Sequence, residues 1–472
     1  MRLDRLDKTV FVVAVVLALL LAFFLLRGDQ IGAQITRSTP ADNAQNVPAR
    51  SPISFTFGEP MVTSTLEGKV SLQPEAGAAS AALGALRWSG ATASFVPSAA
   101  LLPNTEYQLV IKAGATSARG RSMLRDHVIR FRTSLPRMAY LSPANAPTSD
   151  VYITRLEPNS PAQRLTFEPF GVHSYAISPD GTRVAYAAKR DLNGEMDLWL
   201  INTDGGGREQ LLRCNDQVCQ YPNWSADGTR IAYEQHNLIK GRLGNSPGPS
   251  RIFLLDVVNK QAYPLIDDSQ RLGFLPRWSP VGDKLAFYDS TQSAVIVVDV
   301  ATADQIELPS VYGDSGMWSP DGAQLIYSDL VPVEDRRYNQ LLRVDLARSV
   351  ITPALPLTVT NDILGVWSPS GDRIAFGRQA RTGGAGIGVG GLGSQIWTVD
   401  ANGQNARALT EDPGVNYGAI SWSADGQWLV ALRWDLNTPN AVPEVWLVNS
   451  TSSNPSDRRK LLTDAWQPMW FP

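Results

Sequence analysis

Histidine and cysteine are almost missing from this chain, with three His and two Cys in 472 residues. A structural zinc centre draws on four Cys or His ligands. His127, His173 and His236 stand at no ligand spacing, so such a centre is excluded. An excess of charge is missing too: 42 Lys and Arg against 45 Asp and Glu leave a net charge of -3. Nucleic-acid binding, which asks for a concentrated basic surface, finds no support there. A helix-rich composition is likewise absent. The 38 Gly and 32 Pro, with many Trp, Tyr, Val and Thr, favour short strands joined by turns.

One long apolar run is present. Val10 to Leu26 carries no polar side chain, and at helical rise its 17 residues just cross a bilayer core of about 30 Å. Arg2, Arg5 and Lys8 precede it, which predicts an amino terminus inside the cytoplasm and everything after Arg27 outside. The alternative is a cleaved signal peptide with Ile31-Gly32-Ala33 as its processing site. Both readings export the remainder. The expected organisation is residues 1–33 as tail and anchor, 34–136 as a first exported module and 137–472 as a second.

The first module alternates apolar and polar residues in Ile53-Ser54-Phe55-Thr56-Phe57 and in Val128 to Thr133, the pattern of half-buried strands. Pro40-Ala41-Asp42, Phe57-Gly58-Glu59-Pro60-Met61, Leu102-Pro103-Asn104-Thr105-Glu106-Tyr107 and Phe131-Arg132-Thr133 follow in order. In these residues the segment resembles bacterial Ig-like domains, which implies a β-sandwich acting as spacer or adhesive module.

The second module is organised by one recurring string. Trp318-Ser319-Pro320-Asp321-Gly322 has relatives at Ser178 to Gly181, Trp224 to Gly228, Trp278 to Gly282, Trp367 to Gly371 and Trp422 to Gly426. Pro presets φ for a turn, Asp can bond nearby amides and Gly accepts positive φ, so the string reads as turn chemistry. Its Trp would bury a ring between neighbouring sheets. Spacings of about 40 to 55 residues fit one four-stranded blade per repeat. With strands such as Arg230-Ile231-Ala232-Tyr233 following the turn, the region resembles the TolB-like propeller family. Six full copies begin near Ser174, Asn223, Arg277, Met317, Val366 and Ser421. Met138 to Leu141 and Gln467 to Pro472 supply split pieces of one more. The expected fold is therefore all-β: a seven-bladed β-propeller closed by both termini, preceded by an Ig-like sandwich and one transmembrane helix.

Large insertions fall between second and third strands, at 234–251, 329–340, 378–395 and 435–443. Function in repeat folds gathers where insertions vary, so that face is the candidate site. Acidic residues punctuate its other loops at Glu168, Asp216, Asp267, Asp314, Asp362, Glu411 and Asp464, with Arg242, Arg336, Arg337, Arg378 and Arg381 on the same side. An acidic channel mouth would take cations or basic peptide segments. Cys214 and Cys219 are expected to form a loop disulfide in an exported protein. The G-x-G-x-x-G match at Gly386 to Gly391 precedes no helix, and Gly313-Asp314-Ser315-Gly316 lacks a protease fold around it. No hydrolase nucleophile elbow is read, and no catalytic constellation or cofactor is expected. The sequence points to a membrane-anchored extracytoplasmic scaffold binding a protein or cell-envelope partner. The competing readings are a carbohydrate-active, lyase-like propeller enzyme and a plain envelope spacer.

Overall fold

A computed structural model describes residues 14–18, 32–47, 49, 51–75, 84–98, 101–144, 146, 148–156, 161–191, 194–241, 244–380 and 393–471. Of the apolar run, only residues 14–18 are described, as a helical and exposed stretch. The remainder of the expected anchor and Ile31 of the processing site lie outside the described residues. No described helix is long and apolar enough to cross a membrane. The chain forms two compact units, one from 1–47, 52–98 and 106–132, the other from 48–51, 99–105 and 133–472.

Within the first unit, two four-stranded antiparallel sheets account for the alternating sequence. One orders Ile35–Thr39, Ile53–Phe57, Thr92–Pro97 and Gly84–Ser89. The other orders Ala44–Val47, His127–Thr133, Glu106–Ile111 and Val70–Pro74. Ile53, Phe55, Phe57, Leu72, Leu109, Ile111, Ile129 and Phe131 are buried, as a period of two requires when one face of each sheet meets the core. The intervening positions form hydroxyl pairs across strands, Ser54 with Ser94 at 2.7 Å and Thr56 with Thr92 at 2.9 Å.

The second unit is a series of four-stranded antiparallel sheets. Sheet one holds Val172–Ile177, Arg183–Lys189, Met196–Asn202 and Glu209–Leu212; sheet two holds Gln217–Trp224, Arg230–Gly241, Gly244–Asp256 and Ala262–Pro264. Sheet three holds Phe274–Trp278, Lys284–Asp289, Ala294–Asp299 and Gln305–Pro309; sheet four holds Met317–Trp318, Gln324–Val333, Arg336–Asp345 and Val350–Pro353. Sheet five holds Thr360–Trp367, Arg373–Ala380, Gln395–Asp400 and Arg407–Ala408; sheet six holds Val415–Trp422, Trp428–Asp435, Glu444–Asn449 and Arg458–Thr463. A closing sheet pairs Trp466–Trp470 with Arg137–Ser142, followed by Asp150–Arg155 and Gln163–Arg164. A single parallel pairing of Met196 with Val218 joins sheets one and two.

First strands of successive sheets lie against one another, the propeller arrangement. The repeated Trp stitches them. Indole Nε1 of Trp224 donates to the Ala176 carbonyl at 3.2 Å, Trp318 to Arg277 at 2.9 Å, Trp422 to Val366 at 3.1 Å and Trp470 to Ser421 at 3.3 Å. Asn223 Oδ1 accepts the Trp278 amide at 2.7 Å, and Tyr175 Oη donates to the Gln467 carbonyl at 2.6 Å. The last bond links the closing sheet to sheet one. A bulge recurs in these strands: Tyr221, Leu275, Leu364 and Ala419, each four residues before its turn serine, adopt φ of +51°, +53°, +57° and +47°.

The turn behaves as its chemistry predicts. Ser319 Oγ donates to Asp321 Oδ1 at 2.5 Å and accepts the Gln324 amide at 2.9 Å, while Asp321 accepts the Ala323 amide at 3.0 Å. Gly322 then reverses the chain at φ +68°. Ser178, Ser225 and Ser423 repeat the arrangement with Asp180, Asp227 and Asp425. The Ser319 hydroxyl, followed by the Ala323 amide, holds the Asp321 carboxyl below its ordinary value. A carboxyl so lowered stabilises the fold above the unfolded value, and the contribution is lost as pH falls through the folded one. Ser319→Ala should therefore cost about 1 kcal/mol at pH 7 in urea denaturation. The gap to wild type should narrow as pH falls below the ordinary carboxylate range and Asp321 protonates in both proteins.

Candidate binding face

Antiparallel order places every hairpin between second and third strands on the same side as the connection leading into the next sheet. The contacts agree: Leu238 N–H reaches the Asp216 carbonyl at 2.8 Å, and Arg251 donates to the Ile266 carbonyl at 2.8 Å. Two expected insertions are strand, not loop. In sheet two, pairing continues from Arg230↔Asp256 out to Gly241↔Gly244, and in sheet four from Gln324↔Asp345 to Val333↔Arg336. These ribbons rise beyond sheet three, whose corresponding hairpin ends at Asp289↔Ala294. Ile239 sits near one tip with 55% of its surface exposed.

The seven acidic positions separate by use. Glu168 and Asp362 are buried, each against an arginine: Arg208 reaches Glu168 at 2.9 and 3.1 Å, and Arg378 grips Asp362 with two bonds of 2.7 Å. Asp314 spends its oxygens on the amides of Gly316 and Ser328, at 3.0 and 3.1 Å. Asp464 accepts the Ala144 amide at 2.8 Å. Asp216, Asp267 and Glu411 are exposed, with Asp216 facing Lys240 at 2.9 Å. Arg336 is exposed beside Asp335 at 3.9 Å. Arg242 and Arg381 lie outside the described residues. Arg378 stacks on Trp397 and Phe376, at 4.6 and 5.2 Å to the ring centroids, and is 11% exposed. It is a fixed part of sheet five. Burial pushes the Asp362 carboxyl up, although Arg378 pulls it back. The cysteines are joined, with S–S 1.98 Å.

One constellation escaped sequence reasoning. On adjoining strands of sheets one and two, His173 meets the Tyr221 ring edge-on at 5.4 Å, and the charge of Glu234, which pairs with His236, acts on both. His236 Nδ1 donates to the Gly248 carbonyl at 2.9 Å, which leaves Nε2 facing Gln220 at 3.2 Å and Glu234 at 3.4 Å. Glu234 also accepts the Leu275 amide at 2.7 Å, fixing the bulge of sheet three. Burial lowers His236, but the Glu234 and Gly248 bonds outweigh it and its pKa is raised. His173 is lowered by burial and then by Lys189. The signal was available: residues two apart on a strand share a face.

The sequence also contains a string that reading for an elbow overlooked. Gly244-Asn245-Ser246-Pro247-Gly248 fits G-x-S-x-G, yet it runs along the extended ribbon with Ser246 opposite Ile239. An elbow needs a strand, a sharp turn and a helix, and the ribbon provides none of that geometry. Among the described residues no three His, Cys, Asp or Glu side chains are grouped to hold a metal.

Residues 29–133 match the bacterial Ig-like domain family, in agreement with the two-sheet first unit. Solved structures similar to this chain include TolB from Acinetobacter baumannii, with 15% identity, 79% of this chain and 80% of that one covered, and a TM-score of 0.43. Another is an oligogalacturonate lyase in complex with manganese, with 17% identity, 60% and 73% covered and a TM-score of 0.40. A third is the β-propeller domain of the Trilobed protease from Pyrococcus furiosus, with 9% identity, 70% and 97% covered and a TM-score of 0.46. No curated protein sequence matches the chain. The propeller assignment stands on the sheet order and the repeated turn.

Two outcomes follow from these side chains. Arg378→Ala strands Asp362 in the interior and should cost about 3 to 5 kcal/mol by chemical denaturation. In an imidazole NMR titration, His236 should titrate above its ordinary 6.5. Its stabilisation is complete below that value and lost as pH rises through the folded one. Glu234→Gln keeps an oxygen for Leu275 but should move the His236 titration downward.

Proposed function

We propose that this chain is a non-enzymatic binding scaffold displayed outside the cytoplasm, held to the membrane by Val10 to Leu26, with a protein or cell-envelope component as partner. In this reading the seven four-stranded sheets are the blades of a seven-bladed propeller, and the strand Trp466–Trp470 shuts the ring on Arg137–Ser142. Closure of this kind leaves no free sheet edge to pair with other chains. The Ig-like unit serves as a spacer.

The observation that carries the reading is the ribbon of sheet two, extended to Gly241 and Gly244 and bearing Ile239 in solvent. An apolar side chain held out on a paired ribbon supplies a contact without ordering a loop on binding. The interface would be centred on that ribbon. The polar hairpin surfaces around it form the rim.

A photo-crosslinking residue placed at Ile239, in cells expressing the full chain, should give a discrete adduct. The same probe at Asp204, on the turn side, should give none. Adducts from both sites, or from neither, count against the face assigned. Removal of 10–26 should shift the chain out of the membrane fraction.

A further inference from the structure

Several arginines of the second unit are tied to carboxylates: Arg190 to Asp197, Arg271 to Asp289, Arg378 to Asp362 and Arg458 to Asp412. Arg277 differs. Its Nε is enclosed without an acceptor, as are those of Arg137 and Arg458, but Arg137 bonds the Gly181 carbonyl at 3.3 Å and Arg458 bonds Asp412 through their terminal nitrogens, whereas the Arg277 guanidinium has no hydrogen bond or ion pair among the described residues. The side chain is half-buried, and desolvating part of a guanidinium without a partner is costly because it is not repaid.

The backbone around it is held from both sides. Leu275, left-handed at φ +53°, gives its amide to Glu234 of sheet two at 2.7 Å. The Arg277 carbonyl accepts Trp318 Nε1 of sheet four at 2.9 Å. Trp278 packs with Ala232, Ile252 and Leu254 of sheet two, so the neighbouring Arg277 turns to the other face of its strand, toward sheet four. There the charge of Asp314 acts on it, while burial pulls its pKa down more strongly. Both Asp314 oxygens already receive backbone amides, from Gly316 and Ser328. Beside Asp314, the Ser315 hydroxyl is fully buried and without a partner. Sheet four carries Met317 at the position where sheet three carries Arg277, two residues before the turn serine. The repeat itself does not require a cation there.

We propose that Arg277 is the anchor of an anion site at the first strands of sheets three and four, built to receive a planar carboxylate from a ligand. The fork of the guanidinium matches a carboxylate with two parallel bonds, and its clamped backbone leaves little to order on binding. The charge of Asp314 competes with the ligand carboxylate and tempers the affinity of the site. The proposal deepens the binding reading above by naming the chemistry of one contact.

Succinate, titrated into the full chain against sodium chloride of equal ionic strength, tests it by thermal midpoint. Wild type should rise with succinate and Arg277→Met, which copies sheet four, should not. Asp314→Asn removes the competing charge and should respond at several-fold lower succinate. An equal rise in Arg277→Met, or an Asp314→Asn response no stronger than wild type, overturns the site. Should Arg277→Met fail to fold, the Asp314→Asn comparison decides alone. None of these outcomes depends on the Ile239 crosslink, so failure of the site and failure of the binding face remain distinguishable.

Discussion

The second unit depends on a joint between neighbouring sheets in which an arginine, a tryptophan and a glycine carbonyl meet. Arg183 lies over the Trp224 ring at 5.0 Å and donates to the Gly228 carbonyl at 3.4 Å; Arg373 lies over Trp422 at 4.9 Å and donates to Gly426 at 3.0 Å. Arg230 covers Trp278 at 5.0 Å and reaches Asp283 at 2.5 Å. Each joint combines cation–π attraction with a charge-assisted bond. In the first two joints the accepting glycine is the turn residue itself, so the joint needs the tight turn in place. The Ser-Pro-Asp-Gly chemistry and the packing between sheets are thus one device. Repeat architectures live by such nearest-neighbour contacts.

That coupling separates the two faces. On the turn side, geometry is fixed residue by residue and varies little between sheets. On the hairpin side, strands overrun the sheet or stop short. Sheet two runs to Gly241 and Gly244, whereas sheet three stops at Asp289 and Ala294. Buried pairs such as Arg378 with Asp362 brace that side from within. They are foundations of the face and not contacts on it, which corrects the sequence expectation for Arg378.

The sheets, the turns and the buried tryptophans were legible because each follows from a local rule: strand alternation, φ restriction, ring burial. Placing acidic residues after a strand end was legible too, but their fate was not. Glu168 and Glu411 occupy comparable positions in the chain, yet one is enclosed by Tyr186 and Arg208 and the other is exposed. Only the neighbouring strand decides that. Likewise Glu234 and His236 announce a shared face, but their link to Leu275 crosses from one sheet to the next. Arg277 gave no signal, since its isolation is a property of everything around it.

The closing sheet sets a clock. Its first strand, Trp466–Trp470, pairs with Arg137–Ser142, so the residues that meet there stand more than three hundred positions apart. Loop-closure entropy makes such a contact late, and no amount of order in the intervening sheets supplies the missing strand. Until Trp466–Trp470 is present, Met138 to Leu141 lacks the strand that pairs with it in the folded protein.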